Sequence, residues 1–520
     1  MSKDSISKNA SIVSLLTILS RISGFIRDTT ISHIFGAGFV TDAFVIAFII
    51  PNMFRRLLAE GALSIAFVPT FSSYSSTRSD EEYQNLLSST LSLLSLITSL
   101  VVLLGIIFSP QIINLFSPGF SIEQHRLAVI LNRMMFPYLL FISLTSFFIG
   151  VLYSKKSFAV PATSQIELNI VIALSAIFLH KVLSVPVYSL AFGVIMGGLL
   201  QLITQAHFAI RRGYYSLSFK WNPSHPDVRR MMLLMLPATA GIAIYQLNLL
   251  VSKALASLIS KGTVTYIYLG DRIFELPLGI FAVAIATVSL PLLSEYYAKN
   301  EMENFRSTIS KSLRSALFVC IPAMFGVLAL NVPIISYLFQ HGRFTFENTV
   351  ECAPIAFNAL LGIFAVSGTR NITPAYYAMK DIKTPVIIAF ISFLLNLCFS
   401  LILINPLGGS GLTLANTISN TFNFLALGYV LYRKIGNFEI KKIFITVVKT
   451  TFASVIMYVA IFKISSLEIW TQPHRYGLKS LYLFGGIFTG MIVFATSAYL
   501  LRIEEMKYSI NKIKEKIHLR

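Results

Sequence analysis

Eight basic side chains interrupt the apolar runs of this chain: Arg21, Arg27, Arg55, Arg56, Arg133, Lys253, Arg272 and Arg370. A charge at the centre of a bilayer costs about 2.5–3.5 kcal/mol even on insertion scales. Each of these groups must therefore face water, pair with an opposite charge or reach an interface. Arg133 lies near the end of its run, where snorkelling suffices. Arg21 and Asp28 are seven residues apart and share a helix face beside Gly24, while Arg27 lies on the adjacent face. Arg56 and Glu60 stand four apart and can pair, which leaves Arg55 without an obvious local partner. Farther along, Arg272 precedes Glu275 by three residues and follows Asp271 directly. Ion pairs that hold helices together account best for the carboxylates Asp28, Glu60 and Glu275. They account poorly for the arginines as a set, which outnumber them. A cationic cavity accounts for the arginines, because the planar guanidinium fork binds phosphate oxygens and stays protonated. The chemistry expected of it is recognition of a phosphate or diphosphate.

No catalytic constellation accompanies these charges. The chain has no P-loop, no HExxH and no GxSxG. Its histidines are scattered, and Cys320, Cys352 and Cys398 have no metal-ligand spacing. A transporter without its own ATPase fits better than an enzyme, and no cofactor or metal is expected.

The elements that must position the arginines are membrane helices. Of the 520 residues, 55% are hydrophobic and only 12% charged, about half the charged share of a soluble chain. Mean hydropathy is +0.72, and apolar stretches near twenty residues recur along the whole length. The fold class expected is an all-α integral membrane protein with about fourteen transmembrane helices. The net charge of +19 does not point to nucleic acid, because the basic residues sit mainly in short segments between apolar runs. Lys155-Lys156, Arg211-Arg212, Arg229-Arg230, Lys380, Lys383, Arg433-Lys434 and Lys441-Lys442 all fall in segments on one side, which places both termini in the cytoplasm. Lys3 and Lys8 precede an apolar stretch that Arg21 interrupts, which reads as a retained first helix rather than a cleaved signal.

The chain repeats itself. Ala62 to Tyr74 matches Ala284 to Tyr296 at an offset of 222, with Pro69 opposite Pro291. Tyr153 to Pro161 matches Tyr377 to Pro385 at 224, and Arg211-Arg212 falls opposite Arg433-Lys434 at 222. The repeat spans six helices, so both copies enter the membrane from the same side. Two parallel six-helix lobes are expected, 1–220 and 221–440, around a central cavity, followed by two extra helices and an amphipathic basic tail over 441–520. The second and eighth spans, at roughly 40–72 and 264–296, are longer than a crossing requires. They carry Pro51, Pro69, Pro277 and Pro291, so broken helices are expected there.

Ser20-Arg21-Ile22-Ser23-Gly24-Phe25-Ile26-Arg27-Asp28 resembles the first-helix motif of the MurJ (MviN) lipid II flippase family. Asp42-Ala43-Phe44, Pro51-Asn52, Arg55-Arg56 and Ala59-Glu60-Gly61-Ala62 resemble its second helix, and Asp271 to Pro277 its eighth. The resemblance covers essentially the whole chain. It implies the fold of the multidrug/oligosaccharidyl-lipid/polysaccharide exporter superfamily, with a lipid groove formed by the last two helices. It also implies translocation of undecaprenyl-pyrophosphate-linked peptidoglycan precursor across the bacterial inner membrane. Arg21, Arg27, Asp42, Arg55 and Arg272 match residues regarded as important in the family's cavity. The implied partners are lipid II and membrane lipids, with no nucleic acid. Several members carry a basic residue where this chain has Ile49. Sodium-binding members carry acids where it has Ser252, beside Lys253, and Ser400, near Asn396, so sodium coupling through that site is not expected. The nearest rival is a flippase for another glycan-lipid, of O-antigen type. A multidrug exporter fits less well, since an arginine-lined cavity repels cations.

Overall fold

In hydrocarbon every backbone N–H and C=O must be satisfied within its own segment, which leaves the helix as the local solution for each apolar run. The computed structural model describes residues 3–56, 66–216, 225–472 and 475–508, and no strand occurs among them. The chain divides into two compact units, Met1–Thr265 and Tyr266–Arg520. Among the described residues nine helices are long and apolar enough to cross a membrane.

The first unit contains α1 (Lys3–Phe35), α2 (Phe39–Phe54), α3 (Val68–Thr77), α4 (Asp80–Ile107), α5 (Ser109–Phe116), α6 (Ile122–Met135), α7 (Tyr138–Ser154), α8 (Ala159–Leu179), α9 (Tyr188–Arg211) and α10 (Pro226–Ser257). After α11 (Thr263–Pro277), the second holds α12 (Val283–Ala298), α13 (Met302–Ala329), α14 (Asn331–Phe339), α15 (Phe346–Leu360), α16 (Ile363–Ala378), α17 (Lys383–Ile435), α18 (Ile440–Phe462) and α19 (Tyr476–Leu500). The order of elements repeats: α4 and α13 begin 222 residues apart, as do the short helices α5 and α14. The 53-residue α17 is two helices, because Gly408, two residues after Pro406, takes φ 55° and ψ −133°.

The repeated motifs build the same turn. Lys156 and Lys380 both take φ 60°, a left-handed conformation rare outside glycine. Ser157 N donates to Leu152 O and Asp381 N to Tyr376 O, each at 2.9 Å, closing the same cap on the carbonyls left open at a helix end. The expected breaks are also present. Leu278–Ala282 forms a π-helical turn directly after Pro277, which supplies no N–H to the ladder. Arg55 and Arg56 leave α2 in a π turn four residues after Pro51, and Ala66 and Phe67 re-enter α3 in another.

Phe71, Tyr83, Phe147, Phe148 and Tyr215 form the aromatic centre of the first unit. Phe147 meets Tyr215 edge-on at 5.9 Å and Phe71 at 5.7 Å. In the second unit Tyr376 is fully buried and donates its hydroxyl to Leu427 O at 2.7 Å. The outer faces of α18 and α19 expose Phe444, Phe452, Leu481, Phe484 and Phe488, a surface that only hydrocarbon accommodates. Beyond α19, Ile503 packs on Phe318, while Glu504 and Glu505 pair with Arg314 at 2.7 and 3.2 Å. The amphipathic tail after Tyr508 lies outside the described residues.

Candidate functional site: intramembrane arginines and their partners

The first-helix motif places two arginines in different circumstances. Arg27 is buried, and its Nε and Nη2 donate to Asp28 Oδ1 at 2.9 and 2.7 Å. Its Nη1 donates to Asn169 Oδ1 on α8 at 3.0 Å. Asn169 in turn donates to Ser20 O and Ser23 Oγ of α1 at 3.2 and 3.1 Å. The motif's serines and Asp28 thus hold Arg27 in a lock between α1 and α8. Asp28 pairs with its chain neighbour, not with Arg21 two turns away on the same face. Arg21 is half-buried and makes no hydrogen bond or ion pair among the described residues.

The second-helix motif divides in the same way. Arg55 is buried and donates Nε to Asn52 Oδ1 at 2.8 Å, which supplies the local partner that the spacing of charges alone did not reveal. Arg56 is half-buried and makes no hydrogen bond or ion pair among the described residues. Glu60, and with it the expected pairing to Arg56, lies outside the described residues.

Asp42, in the first turn of α2, is 1% exposed. Its Oδ2 accepts from Gly262 N at 2.6 Å, and its Oδ1 accepts from Thr265 N at 2.8 Å and Thr265 Oγ1 at 2.6 Å. Those N–H groups are orphan donors at the start of α11, so Asp42 caps a helix other than its own. The buried Lys253 of α10 lies within Coulombic reach of it.

In the second unit Arg272 meets Glu275 at 3.5 Å, the pairing expected from their spacing. Its guanidinium also lies 4.7 Å from the ring centre of Tyr268 and donates to the Tyr268 hydroxyl at 3.1 Å. Arg272 and Asp271 are half-buried. Arg133 is exposed and donates to Ile106 O at the end of α4, which satisfies an open carbonyl and agrees with a peripheral role. Asn396 and Ser400 of α17 are both buried, and no group of three or more His, Cys, Asp or Glu suited to a metal occurs among the described residues.

A family model described as "Lipid II flippase MurJ" matches residues 31–483. This chain belongs to that family. The probable lipid II flippase MurJ of Buchnera aphidicola subsp. Acyrthosiphon pisum is 34% identical over 88% of this chain and 90% of its own length. The lipid II flippase MurJ of Burkholderia cenocepacia is 32% identical, covering 82% of this chain and 84% of its own. A solved structure of lipid II flippase MurJ in its inward closed conformation matches with a TM-score of 0.79 at 29% identity. It covers 94% of this chain and 98% of that one. An inward-facing multidrug resistance MATE transporter of the MOP superfamily shares the fold, with a TM-score of 0.69 at 14% identity over 83% of this chain and 99% of its own.

Within this MurJ-family chain, two polar residues of α8 carry no motif signal. Asn169 is visible only once α1 and α8 are packed together. Glu167 had a signal of the kind that singled out the arginines, a charge inside an apolar run.

Proposed function

We propose that this chain moves lipid II from the cytoplasmic to the outer leaflet of a bacterial inner membrane by alternating access. Family membership supports the substrate, and the observation that carries the mechanism is the division among the arginines. Among the described residues Arg21 and Arg56 are half-buried cations that make no hydrogen bond or ion pair. A pyrophosphate supplies the oxygens that such forks bind bidentately. Arg27, Arg55 and Arg272 complete the cationic set, held in orientation by Asp28, Asn169, Asn52, Glu275 and Tyr268. In this reading Asp42, Glu60 and Asp271 shape the site. The two six-helix lobes are 1–220 and 221–440, and 441–520 serves the lipid tail. Both termini lie in the cytoplasm, the chain catalyses no covalent chemistry, and sodium is not the coupling ion.

The test is lipid II flipping by purified protein in vesicles, with Arg→Ala and Arg→Lys at positions 21 and 56. A charge-assisted hydrogen bond contributes about 1.5–3 kcal/mol, so each Ala variant should lose about tenfold or more in lipid II affinity. Lys should rescue poorly where the contact is bidentate. Well-folded Ala variants that flip at the parental rate would remove these residues from the substrate site. Transport of another glycan-lipid in place of lipid II would favour the rival assignment.

A further inference from the structure

Glu167 sits near the middle of α8, eight residues and roughly 12 Å along the axis from Ala159. Thr163 Oγ1 donates to its Oε1 at 2.7 Å. The Thr204 hydroxyl of α9 stands beside the same carboxyl. Its Oε2 is buried and has no hydrogen-bond partner. Among the described residues no Lys, Arg or His makes an ion pair with it.

The helices packed against α8 are α1 and α9. On α1, Arg27 engages Asn169, two residues on from Glu167 and about 200° around the helix, and Asp28 accepts from Arg27. Arg21 belongs to the same helix. On α9 the titratable residues are Tyr188, half-buried at its first position, and His207 and Arg211, both exposed, while Gln201, Thr204 and Gln205 approach α8. Gln201 and Gln205 spend their amide N–H groups on Ser164 and Val160 of α8, and their buried carbonyl oxygens accept nothing. Along α8 the face of Glu167 continues through Ile170 and Leu174, which are 46% and 47% exposed. A half-buried carboxyl, its Oε2 enclosed, thus sits at mid-helix beside an apolar exterior, with hydroxyls next to it and no cation paired with it among the described residues. Such a group is stable against hydrocarbon only when it is neutral, and a neutral carboxyl holds a proton.

We propose that Glu167 is a proton-binding site of the transport cycle. Its O–H stays intact while its face of α8 meets hydrocarbon. It ionises, passing the proton to water, when the seam between α8 and α9 becomes wet, and it is reprotonated from water before the seam dries. The transport half of this inference rests on the flippase reading above, whereas the proton site itself does not.

The test uses the full chain in vesicles and two readouts. Dicyclohexylcarbodiimide partitions into lipid and modifies protonated carboxyls, and peptide mass spectrometry locates the adduct. Glu167 should be modified in acidic buffer and lose the modification in alkaline buffer. Glu167→Gln should remove the adduct from that peptide, and Glu167→Asp should retain it. The second readout is lipid II flipping under an imposed pH gradient at clamped membrane potential. Glu167→Gln should abolish the response to the gradient, with unchanged melting temperature and monodispersity, and Glu167→Asp should keep it. An unmodified Glu167, or a Gln variant with the parental pH response, overturns the proposal. A parental protein that does not flip lipid II removes the flippase reading instead, and the pH-dependent adduct then decides the proton site alone.

Discussion

Asp42 separates a substrate contact from a structural cap more sharply than any other residue of the motifs. Its two oxygens accept three hydrogen bonds from the first residues of α11 and the turn before it. In Asp42→Asn the amide oxygen can keep the Thr265 pair, but the new NH₂ then faces Gly262 N–H, donor against donor. One charge-assisted bond is lost and two become neutral, which sums to about 2–4 kcal/mol at a site closed to water. Asp42→Ala removes all three and leaves two backbone N–H groups buried without acceptors, a cost of about 4 kcal/mol or more. Thr265→Ser keeps the hydroxyl and should behave as the parent, whereas Thr265→Ala should cost about 1 kcal/mol. Because Asp42 and Thr265 share these bonds, the double variant should be milder than the two singles added, with a coupling of about 1 kcal/mol or more. The assay is the apparent melting midpoint in detergent at one fixed scan rate, since a chain of this size does not unfold as two states. Lipid II flipping is measured in parallel on the protein that remains folded. The cap predicts a lowered midpoint and lowered abundance, with flipping per folded molecule largely kept. An Asn variant that melts with the parent and fails to flip would refute this reasoning and return Asp42 to the substrate.

The remaining expectations concern the lock, a loop ion pair and the repeated turn. Asn169→Ala should loosen α1 from α8 by about 1.5–3 kcal/mol, the worth of a hydrogen bond to a charged group, and Arg27→Lys should cost a similar amount because an ammonium cannot span Asp28 and Asn169 together; thermal melting of both variants checks this. Asp381, between α16 and α17, pairs with Lys434 and accepts from Thr384 N at 3.0 Å and Thr384 Oγ1 at 2.7 Å. Partial burial pushes its carboxyl up, but Lys434 and Thr384 outweigh that and hold it below the ordinary carboxylate value. A depressed folded value means that its contribution is complete above the unfolded value of about 3.9 and fades as pH falls through the folded one. Asp381→Asn should therefore melt lower than the parent at neutral pH, with the gap closing only in strong acid; equal midpoints at neutral pH would count against the clip. Lys156→Gly and Lys380→Gly should each be neutral to stabilising by up to about 1 kcal/mol, because both positions hold φ 60°, and a clear loss of stability at either would contradict the cap.

The parts of this fold that sequence reveals are those set by short-range rules. Hydrocarbon admits only helices, so run length marks them, and prolines mark the π turns at Arg55–Arg56 and Leu278–Ala282. The repeat is legible for the same reason: Lys156 and Lys380 lie within one motif and need the same left-handed turn. What sequence does not show is which polar groups meet across helices. Arg27 and Asn169 are 142 residues apart, and Asp42 and Gly262 are 220 apart. No spacing rule reaches that far. Asn52, three residues before Arg55, is local, yet a count of charges passes over an amide. Glu167 shows in the sequence only as one charge in an apolar run, because its neighbours Thr163 and Thr204 are uncharged hydroxyls that no charge spacing reveals.

This difference bears on how a cationic site persists in a membrane between substrates. If all the arginines waited unpaired, their cost would be charged in full to the empty protein. If all were paired, an arriving pyrophosphate would have to break every pair before gaining anything. The chain divides the task. Arg27 and Arg55 are buried and held by Asp28, Asn169 and Asn52, while Arg21 and Arg56 are half-buried and meet no hydrogen-bond or ion-pair partner among the described residues. Each motif thus contributes one held arginine and one available one, on helices α1 and α2. An anion that binds the available pair bears little cost of breaking contacts, and it strengthens the field that the held pair already supplies. Substitution of a held arginine should then damage the fold first, and substitution of an available one should damage transport first. That order can be read from melting and flipping measured on the same four variants.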